Sequence, residues 1–315
     1  MRYNRGLSDT ALKLWIEKSL AQRLLAPILD CIPADPRALD IQLREGGVLQ
    51  VYHGNTSLLR MVEKELGSAV AVTFDEYESK VKDLRPDLKR HWSVENVAAL
   101  GESLRQILPM LVDQAEPQYY RNKKEGFWEN HLCYSYGRSW APEKECLIID
   151  RQAVIGFASG AVHSNFYQPI RDKHTASRQL LFEEQHPPWA RVNPIGDELD
   201  LLAINQQREL VCVELKHKSN SGLYYGPFQA AVYRDAFLAA KNVIAADIER
   251  LARQKIALGL LPASAASMLP ISQLNVHAVL AVAGTPSSKV QRRLEQCLER
   301  CVNVEYWQLP DAKVI

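Results

Sequence analysis

A chain of 315 residues is long enough for about two domains. Its 47% hydrophobic and 24% charged residues match ordinary globular composition, which excludes a largely disordered or fibrous chain. Lysine and arginine number 38 against 37 acidic residues, so a formal charge of +1 supplies no global field for a polyanion and any nucleic-acid surface must be local. Cys31, Cys133, Cys146, Cys212, Cys297 and Cys301 form no CxxC pair and read as reduced thiols. Lys13, Glu17, Lys18 and Arg23 interrupt any leader-like run, and Pro262, Pro270 and Pro286 break the longest stretch without Asp, Glu, Lys or Arg, so a cytoplasmic protein without a membrane span is expected.

Leu12, Trp15, Ile16, Leu20, Leu24 and Ile28 recur at helical spacing and predict an amphipathic helix over 8–30 with Ser8 as its cap. Alternation through Leu39, Ile41 and Leu43, a turn at Glu45-Gly46-Gly47, and extended runs at 48–52, 58–62 and 69–74 predict a small β-meander. Val97, Leu100, Leu104, Leu108 and Leu111 predict a helix over 93–115 capped by Ser93, with a boundary near Glu116-Pro117. Residues 1–115 therefore read as an α+β module for recognition or dimerisation, whose most basic stretch is Lys80, Lys82, Arg85, Lys89 and Arg90.

In the second domain, 116–315, residues 121–137 predict a helix and 146–150 and 153–157 strands. The polar, aromatic and basic stretch from His163 to Pro188 is expected to be a long loop with one short helix around 176–184. A hairpin at 198–205 and 209–216 follows, then helices at 227–240 and 242–258, a buried strand at 275–283, a helix at 287–301 and a last strand at 302–308.

The chemistry concentrates in the hairpin. Side chains alternate faces along a strand, so Glu214 and Lys216 share one face. A three-residue loop of Gln206, Gln207 and Arg208 pairs Asn205 with Glu209 and sets Asp200 opposite Glu214, with Cβ atoms roughly 5 Å apart. Two facing carboxylates repel, and a hard divalent cation with oxygen ligands is the economical remedy. On that reading, replacing either carboxylate stabilises the metal-free protein.

Asp200, then Glu214-Leu215-Lys216, then Gln229-Ala230-Ala231-Val232-Tyr233 resembles the PD-(D/E)xK nuclease superfamily, with the trailing QxxxY typical of its RecB-like branch. The resemblance implies a restriction-endonuclease-like mixed sheet flanked by helices, giving an α/β chain (α+β overall) preceded by the meander and its helices. It implies that Asp200, Glu214 and Leu215 hold Mg²⁺ or Mn²⁺, that Lys216 orients the attacking water or steadies the phosphorane, and that Gln229 and Tyr233 line the pocket. Glu129, on the helix anchored by Trp128 and Leu132, is the further helix-borne glutamate that many relatives use, and Asp197 or Glu198 is an alternative third carboxylate. No proline precedes Asp200; Leu199 stands there.

The expected activity is that of a metal-dependent nuclease, a hydrolase of phosphodiesters acting on DNA in restriction, phage defence or repair. Arg171, Lys173, His174 and Arg178 are the expected phosphate contacts. The rival is a nuclease fold that binds nucleic acid or a protein partner without cutting. Ser159 lacks the GxSxG spacing, His163, His174, His186 and His217 share no metal-ligand spacing, and Tyr224 and Tyr225 read as packing residues.

Overall fold

The hydroxyl of Ser8 accepts the Ala11 N–H at 3.1 Å and starts α1 (Asp9–Glu17). The helix expected to run on to residue 30 breaks after Lys18, because Ser19 adopts a left-handed φ of 54°; a π-turn at Ala21–Leu25 then leads into α2 (Ala26–Asp30). The computed structural model describes residues 1–30, 35–64, 69–74, 91–93, 97–119, 125–183, 195–220, 222–272, 274–301 and 303–309. Cys31 and the Lys80 to Arg90 cluster lie outside the described residues.

Contacts divide the chain into two units. The first, the meander unit, comprises Asn4–Lys144 and Ile248–Ser267. Strands β1 (Asp40–Arg44), β2 (Val48–His53), β3 (Thr56–Lys64), β4 (Ala69–Phe74) and β5 (His91–Ser93) pair in that order, all antiparallel. The alternation seen in sequence buries Ile41, Leu43, Leu49, Val51, Leu59 and Met61. Ser93 ends β5 rather than capping a helix; α3 (Val97–Tyr119) begins at Val97 and carries straight through Glu116-Pro117, the expected boundary. Its Leu100, Leu104, Leu108 and Leu111 are fully buried, each a contribution of about 1.5–3 kcal/mol. The helix expected over 121–137 is α4 (Glu125–Cys133), closed by a π-turn at Tyr134–Arg138.

The second, the mixed-sheet unit, comprises Met1–Tyr3, Glu145–Asp247 and Met268–Ile315, so the division falls at Lys144 and not near residue 115. Its five strands are β6 (Cys146–Ala153), β7 (Leu199–Asn205), β8 (Leu210–His217), β9 (Val276–Ala283) and β10 (Val304–Leu309), in the order β10-β9-β8-β7-β6. β6, β7 and β8 pair antiparallel with one another in sequence, while β8, β9 and β10 are parallel. The strand run expected at 146–150 lies within the bulged β6, which ends at Ala153; the second run, expected at 153–157, forms no further strand, and only Gly156 bridges Arg2.

Three helices connect these strands: α5 (Gly160–Glu183), α6 (Gly226–Ala257) and α7 (Ser288–Arg300). α5 replaces most of the expected loop. The interior Pro169, together with polar and aromatic composition, reads as a helix breaker in sequence, yet the helix continues through it. The two helices expected at 227–240 and 242–258 are the single α6. A Cβ at Gly226 would come within 2.5 Å of the Leu280 side chain on β9, so only glycine lets α6 start this close to the sheet. Among the described residues, no helix is long and apolar enough to cross a membrane.

α5 and α6 are stapled by Asp235, which accepts hydrogen bonds from Lys173 at 2.7 Å, His174 at 2.9 Å and Arg234 at 2.8 Å. Burial pushes its carboxyl up, but the His174, Lys173 and Arg234 bonds outweigh it and hold the group well below its ordinary value of 3.8. A depressed carboxyl stabilises the fold above the unfolded-state pKa and loses that contribution as pH falls through the folded-state value. Asp235→Asn should therefore cost about 1–3 kcal/mol at pH 7. The gap to the parent protein should close below pH 3.8, as urea melts across that range would measure.

Candidate functional site

β8 is the central strand, and residues Leu210 to Lys216 are buried along its length. Covered on both faces, such a strand reads as an apolar run, and Glu214 and Lys216 interrupt it on one face. Glu214 is 2% exposed and Lys216 9%, and Lys216 Nζ donates to Glu214 Oε1. The loop expected between β7 and β8 forms: Asn205 N–H donates to Glu209 at 2.9 Å, with Arg208 in the left-handed region at φ 62°. The ladder runs from Ile204–Leu210 to Leu201–Val213, which is the register that brings Asp200 level with Glu214. One step beyond the last pair, the Asp200 carboxylate accepts the Leu215 N–H at 2.7 Å. Lys216 Nζ lies 4.0 Å from Asp200 Oδ2.

The lysine thus stands between the two carboxylates. The repulsion that the bare pattern assigns to a metal is already countered by Lys216, so the expected stabilisation on removing a carboxylate is reversed. Asp200, with its side chain 34% exposed, is the solvent-facing member of the three.

Tyr233, 3% exposed on α6, completes this corner. Burial first, then the carboxylates of Glu214 and Asp200, with Tyr167 and Asp197 adding to them, push its phenol far above the ordinary range. It therefore stays a hydroxyl donor. A Cβ on Gly196 would sit 3.7 Å from the Tyr233 hydroxyl, so the segment leading into β7 passes directly over it. Gln229 lies one turn earlier on the same helix and is partly exposed.

Of the alternative carboxylates, Glu198 is exposed just outside β7, while Asp197 is held at 2.7 Å by His163 Nε2. Glu129 is buried in α4 of the meander unit. The basic residues expected to meet phosphate are mostly engaged within the fold. Lys173 and His174 hold Asp235, and Arg178 donates to the Tyr225 hydroxyl. Tyr224 and Tyr225 are buried, as packing residues should be.

His163 and Tyr167 were not legible as neighbours of the site. Reading 163–188 as a loop hid their spacing, although Val162, Phe166, Tyr167, Ile170 and His174 follow a helical period once Pro169 is allowed inside. A cavity of about 450 Å³ in the meander unit, lined by Arg5, Ser8, Gly46, Gly47 and Arg250 among others, contains none of the predicted site residues. Among the described residues no three His, Cys, Asp or Glu side chains form a metal-binding group. Comparisons with family models, curated proteins and solved structures give no match.

Removing one partner of a buried ion pair leaves the other charge desolvated. Glu214→Ala should accordingly destabilise the metal-free protein, by about 3–5 kcal/mol. Asp200→Ala, which loses the cap on the Leu215 N–H, should cost about 1 kcal/mol. Denaturant melts in chelator would measure both; a rise in stability for Glu214→Ala would restore repulsion as the dominant force.

Proposed function

We propose that the mixed-sheet unit is a metal-dependent phosphodiesterase, a nuclease acting on DNA, of the PD-(D/E)xK kind. The observation that carries this is the convergence of Asp200, Glu214 and Lys216 at one end of paired central strands, with Tyr233 from the following helix beside them. The order of β6, β7, β8, α6 and β9, with β8 and β9 parallel, supports the restriction-endonuclease-like reading; α5 is an insertion between the first two strands.

The donor set fits a hard divalent cation. Two carboxylates lie at one strand end, one of them open to solvent, and Mg²⁺ is commonly held by one or two carboxylates while keeping waters. Asp200, Glu214 and the carbonyl of Leu215 would hold Mg²⁺ or Mn²⁺, which when bound supplies charge neutralisation at the phosphate and a lowered pKa for water. Glu214 keeps Lys216 oriented and charged. Lys216, so held, offers its remaining protons to a phosphoryl oxygen or to the attacking water as negative charge develops. Tyr233, kept protonated by burial and then by the Glu214 and Asp200 carboxylates, offers a hydroxyl donor to the same corner.

Cleavage of plasmid and oligonucleotide DNA is expected in Mg²⁺ or Mn²⁺ and is expected to stop in chelator. Asp200→Asn, Glu214→Gln and Lys216→Met should each reduce the rate by about 10²–10³-fold or more, because groups that act on one transition state lose activity together. Because replacing one partner of the buried pair strands the other, circular dichroism must show each variant folded at the assay temperature before its rate is read. Undiminished cutting by purified Glu214→Gln protein would refute the site, and binding without cutting by the parent protein would favour the non-cleaving rival.

A further inference from the structure

The start of α5 carries a cluster of rings that the site described above does not use. Phe157 and Phe166 lie with centroids 5.2 Å apart; Phe157 is 5.2 Å from His163 and 5.8 Å from Tyr167, and His163 is 4.9 Å from Tyr167. The inner ring, Tyr167, is fully buried, and its hydroxyl makes no hydrogen bond among the described residues. Phe157 and Phe166 remain partly open to solvent, beside the exposed Val162 and Gly160. Two aromatic rings left partly open side by side offer a surface on which a base can stack.

Two contacts tie this cluster to the carboxylates. His163 holds Asp197, three residues before Asp200, at 2.7 Å, and Gly196 lies against the Tyr233 hydroxyl. One turn along α5, the Arg171 guanidinium sits 4.9 Å over the Tyr167 ring. Arg171 makes no ion pair or hydrogen bond among the described residues, and its Nε is shielded from solvent without a partner. It differs in this from Lys173, His174 and Arg178 on the same helix, each of which is engaged. A guanidinium fixed by stacking and left with open donors is suited to a phosphate oxygen.

Resting on the nuclease reading, we propose that Phe157 and Phe166 form a nucleobase-stacking subsite beside Asp200, Glu214 and Lys216, with Arg171 as its phosphate contact. A paired base presents only its edge to a protein, whereas stacking on a side chain needs an exposed base face. The subsite therefore selects a strand with an unpaired base next to the bond that is cut, a single strand or a frayed end in preference to a closed duplex. His163 and Tyr167 act as positioning residues for the platform.

The test uses the full chain in Ca²⁺, with a fluorescein-labelled single-stranded oligonucleotide, its blunt hairpin duplex, and a strand carrying 2-aminopurine. The parent protein should bind the single strand more tightly than the hairpin and quench the 2-aminopurine by stacking. Phe166→Leu and Phe157→Leu keep apolar volume but remove the ring face; each should weaken single-strand binding roughly tenfold and abolish the quench. Arg171→Gln should lower the slope of log affinity against log salt by about one, while Lys173→Gln, an internal partner of Asp235, should leave it unchanged. A parent protein that cuts DNA in Mg²⁺ but shows no single-strand preference and no quench would overturn the subsite and leave the nuclease reading standing. Unchanged binding by Phe166→Leu would do the same, even if Phe157→Leu failed to fold. A parent protein that neither binds nor cuts any strand would instead overturn the nuclease reading itself.

Discussion

Lys216 and Glu214 occupy consecutive positions on one face of the central strand of the mixed sheet, almost wholly removed from water. Each would be costly to bury alone, and neither can leave without stranding the other. This mutual dependence fixes the carboxyl end of β8, and the Asp200 carboxylate, bonded to the Leu215 N–H, closes the same end from β7. Buried ion pairs are poor sources of net stability. Retaining one at the end of a core strand, next to a solvent-facing carboxylate, is how a site with preset charge positions is built.

Around that end, the helices determine which side chains join it. α6 approaches closely at Gly226, and two turns on it brings Tyr233 beside the Glu214 and Asp200 carboxylates. α5 is tied to α6 through Asp235 and its partners Lys173, His174 and Arg234, and the same helix carries His163 toward Asp197 and Tyr167 toward Tyr233. The consequence for function is a division of labour along one helix. Lys173 and His174 are committed to the staple, whereas Arg171, stacked on Tyr167, keeps its donors open. Charge that looked uniform along the sequence is therefore sorted by partner: Lys173, His174 and Arg178 are engaged within the fold, and Arg171 stacks on Tyr167.

The strands were legible because their signal is local. Period-two burial needs only neighbouring residues, so β1 to β3 and β7 to β9 fall where the alternation or the apolar runs place them. The register of β7 and β8 was also legible, since a three-residue loop leaves no freedom in which residues face one another. That much brought Asp200, Glu214 and Lys216 together before any coordinates did. Gln229 and Tyr233 were singled out by the resemblance, and helical spacing sets them one turn apart on α6.

What the sequence could not carry was the identity of partners far along the chain. Whether two facing carboxylates are neutralised by a metal or by Lys216 depends on the rotamer of a long side chain in a buried environment, which spacing does not encode. Lys173, His174 and Arg178 find Asp235 and Tyr225 across 62, 61 and 47 positions, so their apparent availability for phosphate was an illusion of proximity in sequence. α5 was hidden because its polar, aromatic and basic composition reads as a loop, while the tertiary packing that holds it helical, through the interior Pro169, is not visible in the chain. Glu129 belongs to a unit assembled from two separated stretches, Asn4–Lys144 and Ile248–Ser267, a division set by which apolar faces bury one another. Local periodicity and a short loop thus determined the strands and the charged triad by themselves, whereas tertiary burial alone decided which charges are paired, which helix is continuous, and which aromatic rings cluster at the start of α5.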